Sequence, residues 1–163
     1  MAHLVLEKAD FAAARADLEK ELQRLTWRGI LTEKEISAVP RASLSAFFGS
    51  DLVGRMIKGK IYKEQRLLFR LPLSLVDFET DSKEEMVLQG VADCIFETED
   101  GLGILDYKTD RVDTAEELNV RYDRQLQLYA HGVEILLGRP VTELWIYSLT
   151  LDRAISVPLP KKK

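Results

Sequence analysis

At Ile61 the hydrophobic pattern of this 163-residue chain changes period, and the change separates a helical part from a sheet part. Before it, Leu4, Leu6, Phe11, Leu18, Leu22 and Leu25 recur near helical spacing with alanines between them, which predicts one helix over residues 4–25 with Gly29 as its stop. Thr32-Glu33-Lys34-Glu35 has the capping-box form, a hydroxyl followed three residues later by Glu, and opens a short helix that Pro40 interrupts. Residues 42–48 add another short turn or two, and Ser50-Asp51 caps a last segment toward Lys58.

After Ile61, residues 61–69 and 71–76 read as extended around Pro72, which marks an edge or a break because proline cannot donate to a ladder. Residues 79–85 read as a polar loop. Residues 86–97 and 102–108 are strands joined by T-E-D-G-L-G, where Asp-Gly favours a tight turn. Thr114-Ala115-Glu116-Glu117 is a second capping box, and the helix it opens stops at Gly138 with Pro140 just beyond. Residues 143–150 and 153–158 form a closing pair of strands. Helices, three strands, a long helix and two strands predict an α/β (α+β) fold with a mixed sheet, in a chain of single-domain length.

Composition sets outer limits. Hydrophobic residues make up 46% and charged residues 31%, as in a soluble globular protein. No apolar run approaches the roughly 18 residues of a membrane span, and M-A-H-L-V-L-E-K-A-D lacks the basic-then-apolar form of a secretory signal. Cys94 is the only cysteine, which excludes a disulfide framework or an all-cysteine iron–sulfur site within this chain and fits a reducing, cytoplasmic setting. The net charge of −4 does not favour nucleic acid, yet an enzyme that cuts DNA can keep acidic residues for a metal and take phosphate affinity from that metal or from a partner. The P-L-P-K-K-K tail reads as a solvated end.

The chemistry is concentrated in the hairpin. I-L-D-Y-K-T-D (104–110) ends an apolar strand with charge, and an unpartnered buried carboxylate is costly. A four-residue loop at 98–101 sets Asp93 opposite Asp106, whereas a two-residue turn at Asp100-Gly101 sets Asp93 opposite Lys108. Both registers keep Asp93, Asp106 and Lys108 on one face, because strand side chains alternate. Opposed positions lie about 4.5–5.5 Å apart, so two carboxylates there can share a cation. Without one they repel, and one of them tends to keep its proton. Mg²⁺ answers this with hard oxygen ligation that leaves room for a phosphate, and Lys108 is placed to orient or deprotonate a water or to offset phosphate charge. The plainer alternative is a solvent-facing strand with a minor Asp106–Lys108 surface pair. On the following helix, Tyr122, Gln125 and Tyr129 share one face, either as packing with a polar edge or as hydrogen-bond donors lining a nucleic-acid groove. Leu126, Leu128 and Val133 point to the sheet.

Taken in order, G-V-A-D (90–93), I-L-D-Y-K-T-D (104–110) and Y-D-R-Q-L-Q-L-Y-A (122–130) resemble the RecB-like branch of the PD-(D/E)XK nuclease superfamily. R-G-I-L-T (28–32), F-F-G-S-D-L-V-G-R (47–55), K-E-Q-R-L-L-F (63–69) and L-W-I-Y-S-L (144–149) bring the resemblance closest to the C-terminal nuclease domains of AddA-type (RexA-type) helicase–nucleases. It implies a restriction-endonuclease-like core with an N-terminal helical part at 1–60 and the motifs in 61–163. It further implies a Mg²⁺-dependent deoxyribonuclease, with Mn²⁺ as a possible substitute, acting in double-strand break repair and recombination. By the same resemblance, Asp93, Asp106 and the backbone carbonyl of Tyr107 match metal ligands, Lys108 matches the catalytic lysine, and Gln125 and Tyr129 match the motif associated with DNA.

His3 fits a further metal ligand, although the Gly-Thr that precedes that histidine in the family is missing, and Glu64 matches an acidic position on the first strand. The implied partners are single-stranded DNA delivered by a helicase, the helicase part of the same protein, and an AddB/RexB-type partner protein, this chain being a fragment of the whole. G-R-M-I-K-G-K (54–60) reproduces seven positions of a Walker A loop, but Ile61 stands where Ser or Thr should hold Mg²⁺, so no ATP site is expected. A domain kept only for DNA or partner binding is the competing reading, disfavoured by the intact Asp93, Asp106 and Lys108. An iron–sulfur relative is excluded by the single cysteine.

Overall fold

Helices α1 (Ala2–Lys8), α2 (Phe11–Ala16), α3 (Leu18–Trp27), α4 (Glu33–Ser37), α5 (Arg41–Phe48) and α6 (Asp51–Met56) precede the sheet in a computed structural model that describes residues 1–76 and 83–161. The sheet is built from β1 (Ile61–Pro72), β2 (Glu85–Glu97), β3 (Leu102–Lys108), β4 (Val141–Ser148) and β5 (Arg153–Val157), in the spatial order β1-β2-β3-β4-β5. Helix α7 (Leu73–Val76) follows β1, and α8 (Ala115–Leu137) joins β3 to β4. Only β3 and β4 pair in parallel; the other neighbours are antiparallel. A parallel pair requires a crossover rather than a hairpin, and α8 is that crossover. The fold is the predicted mixed α/β sheet flanked by helices.

Local chemistry explains where the prediction holds and where it fails. The single helix expected over residues 4–25 is three helices, because Asp10 and Asp17 leave the helical conformation and cap the segments that follow. Their side chains accept from the Ala13 and Lys20 N–H groups. A carboxylate at this position satisfies otherwise orphaned donors, and the leucine spacing survives because the short helices still present one apolar face. Thr32 and Glu35 form the full capping box, and Ser50 caps α6 through the Val53 N–H. The extended reading of 73–76 is corrected: β1 ends at Pro72, and these residues make one helical turn. Of the loop expected over 79–85, residues 79–82 lie outside the described residues, and Glu85 already belongs to β2. Gly138, left-handed at φ 65°, ends α8 as expected, and Pro140 follows.

Two apolar layers hold the sheet. On one face Leu6, Leu22, Leu25, Phe47 and Phe48 from the N-terminal helices enclose Cys94, Phe96, Leu105 and Tyr107. On the other, Leu126, Ala130 and Val133 of α8 meet Leu67, Phe69, Ile95, Ile104 and Ile146. Each large side chain among them contributes about 1.5–3 kcal/mol when fully buried. Along β3 the alternation is regular, so Asp106 and Lys108 follow Ile104 onto the α8 face.

Along β1 and β2 the alternation breaks once. Tyr62 and Ile95 pack on the α8 layer, as do Leu67 and Ala92, although each strand's two residues are an odd number of positions apart. The ladder passes from Lys63↔Cys94 to Gln65↔Ala92, so the break falls at Glu64 and Asp93. Glu64 sits there at φ 51°, a conformation that side chains other than glycine adopt at a cost of about 1–3 kcal/mol. Among the described residues no helix is long and apolar enough to cross a membrane.

Candidate active site

The β2–β3 connection decides between the two registers left open by the sequence. Thr98 N–H donates to the Gly101 carbonyl at 2.9 Å, and the ladder pairs Glu97 with Leu102 and Cys94 with Leu105. The loop is therefore the four-residue one, and the next step of the same register sets Asp93 opposite Asp106. Here the carboxylate takes over from the ladder: Tyr107 N–H donates to Asp93 Oδ2 at 2.8 Å. Glu64 of β1, at the step where the β1–β2 ladder skips both it and Asp93, acts through its charge on Asp93.

Their electrostatics are strained. Asp106 is only 5% exposed, and its Oδ2 lies 2.9 Å from Lys108 Nζ. Burial, and then the hydrogen bond and charge of Asp106, push the Asp93 carboxyl up to about 8, against the smaller opposing effect of the Tyr107 N–H. Crowding thus favours the protonated form of Asp93, while Asp106 Oδ2 is the oxygen that meets Lys108. Burial alone would lower the Lys108 ammonium, but Asp106 more than offsets it and the lysine is held above its ordinary value. Glu64 is raised by burial and by Glu7, with His3 opposing and Asp106 adding to the rise.

Helix α8 closes the other side of this group. Lys108 Nζ reaches Gln125 Oε1 at 3.5 Å, and Gln125 Nε2 donates to the Tyr129 hydroxyl at 3.4 Å. The Tyr122 ring lies under the ammonium, 4.1 Å from Nζ to its centroid. Tyr129 also accounts for the glycine of G-V-A-D. A Cβ at Gly90 would stand 2.6 Å from the Tyr129 hydroxyl, so the aromatic ring needs a strand with no side chain at that point.

The structure thus brings Asp93, Asp106, Lys108, Tyr122, Gln125 and Tyr129 together. His3 lies beside this group: its charge acts on Glu64, and its ring stands edge-on to the Tyr107 ring with centroids 6.0 Å apart. Among the described residues no three His, Cys, Asp or Glu side chains are placed to hold one ion between them. The donor chemistry of the carboxylate pair nevertheless suits a hard divalent cation, since the two acids lie in contact and one keeps a proton that a cation would displace. The Walker-like stretch holds no phosphate loop; Gly54 is a residue of α6 packed against the Arg15 guanidinium. Sequence reasoning missed Glu7 and Asp110. Glu7 acts only through space, and Asp110 meets Tyr122 across a fold in the chain that no periodicity encodes.

Comparison with known proteins agrees with this geometry. The family model of the PD-(D/E)XK nuclease superfamily matches residues 1–153. The chain is 32% identical over 168 residues to an ATP-dependent helicase/nuclease subunit of Clostridium perfringens (strain 13 / Type A), and 31% identical over 162 residues to its counterpart from Clostridium botulinum (strain 657 / Type Ba4). Each match covers 96% of this chain but only 13% and 12% of those proteins. The solved structure of SSO0001 superposes loosely, with a TM-score of 0.43 at 19% identity over 98% of this chain and 68% of that one. With three motifs in order on the expected strands and helix, and a family match over nearly its whole length, the chain belongs to the PD-(D/E)XK nuclease superfamily.

Proposed function

We propose that this chain is a Mg²⁺-dependent DNA nuclease domain that hydrolyses phosphodiester bonds. The observation that carries the reading is the contact of Asp93 with Asp106 and of Asp106 with Lys108 on one sheet face. Asp93 and Asp106 would hold the divalent cation, with the Tyr107 carbonyl and His3 as the further ligands that the family resemblance suggests. When bound, the cation supplies charge at the phosphate and acidifies a bound water. The residues of the chain divide the remaining work. Lys108, held beside Asp106 on the same sheet face, would orient the attacking water or offset charge on the phosphate. Gln125 and Tyr129 line the same face and offer hydrogen bonds to the nucleic-acid strand.

The relatives at about 30% identity are named helicase/nuclease subunits. We infer that the domain works as part of a longer chain, on single strands delivered by an ATP-driven helicase; the family resemblance further suggests an AddB-type protein beside it and a role in double-strand break repair.

Cleavage of single-stranded DNA is the test, with Mg²⁺ or EDTA, for the parent and for Asp106→Ala and Lys108→Ala. Loss of a positioned proton-transfer group is expected to slow cleavage on the order of 10²–10⁴-fold. Variants that cut as fast as the parent would sink the assignment. Calorimetric Mg²⁺ binding, lost on Asp93→Ala, checks the ligand role without depending on turnover.

A further inference from the structure

Asp110 closes I-L-D-Y-K-T-D, just past the end of β3, and is tied down on two sides. Its Oδ2 accepts from the Tyr122 hydroxyl at 2.8 Å and from Arg121 Nη1 at 2.8 Å. Its backbone carbonyl accepts from Thr150 in the turn between β4 and β5. Tyr122 is therefore fixed at its hydroxyl end, and its ring face lies 4.1 Å beneath the Lys108 ammonium. Lys108 is 17% exposed and has three holds: Asp106 Oδ2 at 2.9 Å, the Tyr122 ring, and Gln125 Oε1 at 3.5 Å.

These holds are not equivalent. A cation engaged by Asp106 would compete with Lys108 for the same carboxylate, and the 2.9 Å pair would weaken when the lysine is needed. The ring face carries no charge that a divalent cation could take over, and a cation–π contact strengthens when it is desolvated. A lysine side chain left without such a hold samples many rotamers. The Tyr122 hydroxyl donates to Asp110, which leaves its ring face for Lys108.

We propose that Asp110 and Tyr122 are positioning residues for Lys108: Asp110 fixes the Tyr122 ring, and the ring face keeps the ammonium at the carboxylates. The inference rests on the nuclease reading above for its purpose, but not for its geometry.

The test pairs a metal-free measurement with kinetics on the full chain. In protein with ¹³C-labelled lysine, the ε-methylene signal of Lys108, assigned through Lys108→Arg, should carry an upfield ring-current shift. That shift should vanish in Tyr122→Leu and persist in large part in Tyr122→Phe. On single-stranded DNA with Mg²⁺, Tyr122→Leu is expected to lower kcat by roughly 10- to 100-fold, the range for residues that act through a first partner, with KM unchanged. Asp110→Ala should lower kcat in the parent and add nothing in Tyr122→Phe, because it acts only through the hydroxyl. An unmoved Lys108 signal in Tyr122→Leu, a loss confined to KM, or an Asp110→Ala effect that persists in Tyr122→Phe would each overturn the proposal. A parent that cleaves no faster than Lys108→Ala refutes the nuclease reading instead, and is told apart because the NMR comparison needs neither metal nor DNA.

Discussion

Glu21 in the helical layer and Asp93 in the sheet are both acidic residues drawn into the interior, and their surroundings treat them in opposite ways. Glu21 is 2% exposed, yet it accepts from the Asp10 N–H at 3.0 Å and pairs with Arg24. Burial alone would raise it, but Arg24 and the Asp10 N–H more than offset this, and its carboxyl ends below the ordinary value. Asp93 receives one N–H, meets a second acid instead of a cation, and is pushed up to about 8. The helical layer thus uses its acid to join α2 to α3, a self-contained structural task. The sheet leaves its acid short of positive charge, a deficit that invites a partner from outside the chain.

The largest expected effect comes from pH. Unfolded, Asp93 loses its proton near its ordinary 3.8; folded, it keeps it to about 8. Between these values the folded state binds more protons, so the stabilising contribution is complete below about pH 4, falls as pH rises and is gone above about pH 8. Metal-free protein should lose stability across that window. Asp93→Asn, which still accepts from Tyr107 N–H and can donate to Asp106, should flatten the decline, and saturating Mg²⁺ should oppose it. Urea midpoints followed from acid to alkaline pH check this; a slope identical in parent and Asp93→Asn would break the comparison.

Glu21 should show the reverse sign. Its lowered pKa contributes stability that is present above its ordinary value and lost as pH falls through the folded one. Glu21→Ala removes the part-buried, charge-assisted hydrogen bond from the Asp10 N–H and is expected to cost about 1.5–3 kcal/mol in urea unfolding. Mg²⁺ affinity should stay as in the parent; a loss would mean that the two regions are not separate.

Two smaller changes sharpen the contrast further. Gly90→Ala sets a methyl against the Tyr129 ring and should cost about 1–3 kcal/mol in unfolding experiments, while displacing Tyr129 from Gln125. Thr32→Ala removes half of the capping box and should cost about 1 kcal/mol by thermal melting, with Mg²⁺ binding unaffected.

What is legible in the sequence follows the same division. Apolar periodicity and punctuation place β2, β3 and α8, because Asp-Gly, Thr114 and Gly138 act locally. The alternation of β3 also puts Asp106 and Lys108 on one face. The helix breaks at Asp10 and Asp17 escape notice because the leucine spacing runs through them. The register at Asp93 stays open because it depends on loop length, and only the Thr98–Gly101 hydrogen bond resolves it. His3 enters by resemblance, and its edge-on contact with Tyr107 is a matter of tertiary packing. The tie from Asp110 through Tyr122 to Lys108 joins a loop, a helix and a strand, and no local signal reports it.

The break in alternation at Glu64 and Asp93 carries one more implication. Leaving out both residues together would join Lys63 to Gln65 and Ala92 to Cys94, each pair already neighbours in the ladder, and the inward and outward pattern would then run unbroken through β1 and β2. The two acids are supernumerary to the hydrophobic pattern of the ribbon. Substitution at either position therefore leaves the apolar pattern of the strands intact, and at Asp93 what the scaffold asks of a replacement is an acceptor for the Tyr107 N–H.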